Sequence, residues 1–111
     1  PSGTRFGDET DPGKQKRFSE DVAEIVEVIV PLAEAKGYTV AQYSLAWVMA
    51  QPGVTAPIVG PRTLEQFEDN LGAIDVELGP EDFAAMDAAI APGEYAADFF
   101  EASFTPNQHR L

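Results

Sequence analysis

The residues best suited to chemistry lie in one stretch, Val54-Thr55-Ala56-Pro57-Ile58-Val59-Gly60-Pro61-Arg62-Thr63-Leu64-Glu65-Gln66-Phe67-Glu68-Asp69-Asn70. The apolar run 54–59 predicts a short buried strand, Gly60-Pro61 a tight turn, and Thr63 the cap of a helix. A strand end feeding a capped helix aims backbone N–H groups and polar side chains at a phosphate. Read alone, Gly60-Pro61 is either a plain turn or a point of close backbone approach. Arg62 is one of two basic residues beyond position 60. Gln66 has a second explanation, as the reciprocal partner of Thr63 in a capping box. Asn70 is equally readable as a solvated helix residue.

The elements that must position this stretch are mostly helical. Residues 1–18 read as a loop, rich in Gly, Pro and mixed charge. Ser19 precedes Glu20 and Asp21, a cap with acids in the first helical turn. Val22, Ile25, Val26, Ile29, Leu32 and Ala33 then recur at helical spacing, with Pro31 expected to bend the helix and Gly37 to end it. Thr39 and Gln42 have capping-box spacing for a second helix reaching about Gln51. Its apolar residues, including Tyr43, point in almost every direction, as in a helix covered on several sides. Leu64, Phe67, Leu71 and Ile74 form one face of a third helix. A fourth starts at Gly79-Pro80-Glu81-Asp82 with Phe83, Met86 and Ile90 as its stripe. Pro57 argues against a freely paired central strand.

The chain has 111 residues and a net charge of −12. Residues 61–111 hold 11 acidic and 2 basic side chains, against 8 and 5 in residues 1–60. Such a field repels nucleic acid and anionic membrane, so neither is an expected partner. There are no cysteines, which excludes disulfides and thiolate metal sites and makes a cytoplasmic setting the default. No metal-ligand spacing, nucleophile elbow or GxGxxG is present. The single His109 reads as a surface residue near the terminus.

Several segments together resemble the aldo-keto reductases. The likeness is carried by Ala41-Gln42-Tyr43-Ser44-Leu45-Ala46-Trp47, Pro52-Gly53-Val54-Thr55, Ile58-Val59-Gly60-Pro61-Arg62-Thr63, Glu65-Gln66, Asp69-Asn70-Leu71 and Asp75-Val76-Glu77-Leu78. It runs from about Phe18 to the C-terminus, with a weaker echo in Gly3-Thr4-Arg5-Phe6-Gly7. The resemblance is to the C-terminal third of the family's chain. It implies an α/β fold: the closing part of a (β/α)8 TIM barrel, with about four helices and one strand. A whole barrel needs roughly 250 residues, so the fold is expected to be incomplete as given. The Pro1 start without Met, followed by a Gly-, Asp- and Lys-rich run, is what a cut, a processed end or an incomplete sequence would give. The implied division is a loop over 1–18, the last helices and strand over 19–92, and a tail over 93–111.

The resemblance also implies a cofactor, NADP(H), and a set of residues to hold it. Gly60 would approach the phosphate edge through its backbone. Arg62 would face the 2′-phosphate with a charge-assisted fork. Gln66 and Asn70 would lie near the adenine, one helical turn apart, beside Asp69, where relatives often carry Glu. Catalysis in the family uses a Tyr acid assisted by Lys, His and Asp from earlier strands, and those segments are absent here. No catalytic residue is therefore assigned, and the chain alone is expected to be inactive. The parent would reduce small aldehydes or ketones by hydride transfer. A complementing chain is a possible partner. Phe99, Phe100 and Phe104 would either shape a substrate pocket or pack outside the barrel. The competing reading is a small acidic, non-enzymatic helical interaction module, motivated by the apolar second helix.

Overall fold

The computed structural model describes residues 20–94. The predicted N-terminal loop and the tail with Tyr95, its three phenylalanines and His109 lie outside these residues, apart from positions 93 and 94.

Helix α1 spans Glu20–Lys36 and continues through Pro31. Gly37 ends it at φ +78. There the Gly37 N–H donates to the Glu34 carbonyl at 3.0 Å and the Tyr38 N–H to Ala33 at 3.1 Å. This pair of bonds closes a helix only where the residue after it adopts left-handed geometry, which Gly does without a Cβ penalty. Helix α2, Val40–Met49, begins with the expected box: Thr39 Oγ1 accepts from the Gln42 N–H, and Gln42 Oε1 accepts from the Thr39 N–H at 3.0 Å. The Val54 N–H donates to the Gln51 carbonyl across Pro52 and Gly53, with Gly53 at φ +87, the sequence and geometry a type II turn requires. Helix α3, Leu64–Leu71, runs into a single 3₁₀ turn, Gly72–Asp75. Helix α4 is Pro80–Ala89.

The predicted strand at residues 54–59 is not formed. Among the described residues there is no strand at all. A strand exists through its ladder, and no neighbour here offers backbone groups to either edge. Ile58 is 101% exposed. The predicted four helices stand, and the barrel's sheet is not seen.

Buried apolar contacts come from α1, α2 and α4. Ile29, Ala33, Tyr43 and Met86 interlock, with Ile25, Leu32, Val40, Trp47, Val76 and Leu78 packed around them. Tyr43 is the core residue the sequence predicted. The Tyr38 hydroxyl donates to the Asp75 carbonyl at 2.9 Å and anchors the 3₁₀ turn to the loop after α1. Helix α3 contributes no buried residue. Its predicted face forms but is bare: Leu64 is 71% exposed and Ile74 74%, with Phe67 and Leu71 also exposed. The Trp47 Nε1–H is buried without a hydrogen-bond partner among the described residues. No described helix is long and apolar enough to cross a membrane.

Candidate functional site

The start of α3 organises the stretch from Gly60. Thr63 accepts the Gln66 N–H on its Oγ1 at 3.1 Å and the Phe67 N–H on its carbonyl at 3.1 Å. The reciprocal half of the predicted capping box is redirected. Gln66 Oε1 reaches the Arg62 N–H at 2.8 Å. Nor is there a tight turn at Gly60-Pro61; the chain bends instead at Arg62 and Thr63. The Arg62–Gln66 bond holds that bend, so no i→i+3 turn is needed to redirect the chain.

Gly60 is not required by its own conformation. Its φ is outside the left-handed region, and an added Cβ would meet nothing within 4 Å. Space therefore lies open beside it. That space belongs to a groove of about 980 Å³ between α2 and α3, floored by the segment before α3. Gly60, Gln66, Asp69 and Asn70 line it, opposite Ser44 and Leu45. Arg62 does not line it; it stands exposed at the mouth, between the lining residues Pro61 and Thr63. The structure thus brings four of the five predicted residues to one groove and leaves the fifth at its edge.

Asp69 is already engaged. Its Oδ2 accepts from the Thr39 hydroxyl at 3.1 Å, and its carbonyl accepts from Gln42 Nε2 at 2.9 Å. The α2 wall was not legible as part of a site, because that helix reads as packing throughout. Ser44, a lone hydroxyl among apolar neighbours, was the available signal.

Charge at the mouth is uneven. Residues 20–94 contain fourteen acidic side chains and two cations, Lys36 and Arg62. Lys36 Nζ pairs with Asp82 Oδ2 at 3.0 Å. Arg62 has no ion pair among the described residues, while Glu65 in the first turn of α3 works against a second negative group.

A Tyr-Asp-Lys cluster elsewhere has reactive residue types but a structural role. The Tyr43 hydroxyl donates to Asp82 Oδ1 at 2.7 Å, and the Gly79 N–H donates to Oδ2 at 2.7 Å. Burial and the adjoining Asp82 carboxylate push the Tyr43 hydroxyl well above its ordinary pKa of 10.0. Burial alone would raise the Asp82 carboxyl, but the Gly79 N–H, Tyr43 and Lys36 outweigh it and hold it below its ordinary value. With Tyr43 fully enclosed, no substrate reaches this phenol, and its proton is held tightly. A cleft between α1 and α4, about 510 Å³, is walled by Asp21, Glu24, Asp87 and Glu94 and is hostile to anions. No described cluster of His, Cys, Asp or Glu could hold a metal ion.

Known proteins place this arrangement in a lineage. The profile of the Aldo/keto reductase family matches residues 2–91. The match reaches further into the N-terminal part than the likeness from Phe18, and stops short of the tail to which that likeness was extended. The chain is 43% identical over 56 residues to the uncharacterized oxidoreductase YrpG of Bacillus subtilis (strain 168), covering 50% of this chain and 17% of that protein. It is 32% identical over 83 residues to versiconal hemiacetal acetate reductase of Aspergillus parasiticus, covering 70% of this chain and 24% of that enzyme. It therefore spans under a quarter of the length of either relative. A match over most of its length makes this chain a member of the aldo/keto reductase family.

Proposed function

We propose that this chain is the C-terminal third of an NADP-dependent aldo-keto reductase and supplies the clamp for the cofactor's adenosine 2′-phosphate. The observation that carries the reading is Arg62, the described cation without an ion pair, standing at the mouth of a groove beside open space at Gly60. The residues present fit the cofactor. Gly60 leaves room for close approach, Arg62 supplies a guanidinium for a phosphate, and Gln66 and Asn70 offer amides to an adenine edge. When bound, the cofactor supplies the hydride for carbonyl reduction. This chain's part is to bind and orient it.

The bare segment 54–59 and the uncovered α3 face support a unit that closes against further polypeptide, in the same chain or a complementing one. These features favour a barrel piece over a self-sufficient interaction module.

The test is reconstitution with a family polypeptide carrying the Tyr, Lys, His and Asp segments. The assembly should oxidise NADPH in a carbonyl-dependent way, and the 111-residue chain alone should not. Arg62→Ala in the assembly should weaken NADPH binding by about 10- to 100-fold, the loss of a charge-assisted bond, and leave NADH nearly unchanged. Equal losses for both cofactors would refute the assignment of Arg62.

A further inference from the structure

The capping box that starts α2 does more than terminate a helix. Gln42 uses both ends of its amide: Oε1 accepts from the Thr39 N–H, while Nε2 donates to the Asp69 carbonyl on α3. The Thr39 hydroxyl also works twice, accepting from the Gln42 N–H and donating to the Asp69 carboxylate. Gly72, just beyond α3, makes room for this. A Cβ there would collide with the Gln42 amide, although the Gly72 backbone (φ −61, ψ −15) suits any residue. Helix α3 otherwise has little to hold it, since none of its side chains is buried.

We propose that Thr39, Gln42 and Gly72 form a clamp that sets α3 against α2, so that Asp69 is a positioning residue and not a ligand contact. The clamp fixes the width of the groove and the angle at which α3 presents Gln66 and Asn70. In this respect the inference deepens the cofactor reading, and it rests on that reading for the ligand. In the clamp Asp69 Oδ2 accepts from Thr39 and its carbonyl from Gln42, while Gln66 and Asn70 line the groove alongside.

Two substitutions isolate the clamp. Gln42→Glu keeps an acceptor for the Thr39 N–H, and Glu is a normal capping-box residue, but it cannot donate to the Asp69 carbonyl. Gly72→Ala leaves the groove lining untouched and suits a helical backbone, yet displaces the Gln42 amide. The chain has no cysteines, so spin labels at Ala50→Cys and Glu68→Cys, both exposed and outside the groove, report the α2–α3 distance in the full 111-residue chain. Helix content is followed by circular dichroism.

Both variants should broaden or shift the distance distribution by about 1–2 Å, the scale of a helix shift, at unchanged helix content. Titration with 2′,5′-ADP should show about tenfold weaker binding in both, whereas Asp69→Asn, which keeps an acceptor for Thr39, should bind at least as well as the parent. An unchanged distance distribution in both variants overturns the clamp, whatever the titration shows. A shifted distribution in a parent chain that does not bind 2′,5′-ADP upholds the clamp and counts against the cofactor reading. Loss of binding in Asp69→Asn with an unchanged distance would make Asp69 a ligand contact and refute its positioning role.

Discussion

Replacing Asp82 with Ala removes the acceptor on which three donors converge. Tyr43 Oη and the Gly79 N–H each lie 2.7 Å from this carboxylate, and Lys36 Nζ lies 3.0 Å away. Asp82 is 2% exposed, so the variant leaves the enclosed tyrosine hydroxyl without a partner and uncaps α4. Breaking a buried ion pair by removing one member costs about 3–5 kcal/mol. The Lys36 side chain retains 28% exposure and regains water, which favours the lower end. Tyr43 and the cap would each add about 1 kcal/mol if independent, but all three share one carboxylate, so a total of about 3–4 kcal/mol is expected. With a urea m-value of about 1–1.5 kcal/mol/M for a unit this small, the midpoint should fall by about 2–4 M. Tyr43→Phe removes one donor and leaves two, and should cost about 1 kcal/mol. Urea unfolding followed by far-ultraviolet circular dichroism measures both. If Asp82→Ala proves no worse than Tyr43→Phe, the convergence on Asp82 does not hold the helices together and the reasoning fails.

The same cluster sets two pH limits. Asp82 is depressed in the fold, so its contribution is present above the unfolded carboxylate value near ~3.9 and is lost as pH falls through the lower folded value; Asp82→Asn should flatten that acid limb. Tyr43 is raised, so its contribution is intact below the unfolded value near ~10 and is lost as pH climbs beyond it; Tyr43→Phe should remove that alkaline limb. Gly37→Ala forces a Cβ onto a left-handed residue and should destabilise by about 1 kcal/mol in the same urea assay, against no loss for an exposed Ala35→Gln control. Leu64→Lys and Ile74→Lys should change the stability of the 111-residue chain by less than about 0.5 kcal/mol, because both side chains are already in water. In the reconstitution they should block assembly, and assembly unaffected by both would show that this face is not the contact.

Local chemistry made much of this chain legible. The Thr39–Gln42 box, the Gly37 stop, the Pro52-Gly53 turn and the Pro80 start depend on residues within four positions of one another, so spacing alone identifies them. The set Gly60, Gln66, Asp69 and Asn70 came from the resemblance; helical spacing explains only why the last three share one side of α3. Periodicity also found the apolar face of α3, but a stripe records what ought to be covered and says nothing about what covers it. Residues 54–59 show this most plainly: an apolar run proposes a strand, and only neighbours can make it one. Two features belonged to tertiary structure alone. Asp82 reads as an ordinary first-turn acid until α1 and α2 bring Lys36 and Tyr43 to it across long separations. Asp69 reads as one more polar position on α3 until its Oδ2 is seen to accept from Thr39 and its carbonyl from Gln42. Hydrogen bonds between residues about 30 or more positions apart leave no periodic trace in a sequence, because their partners are chosen by packing and not by spacing.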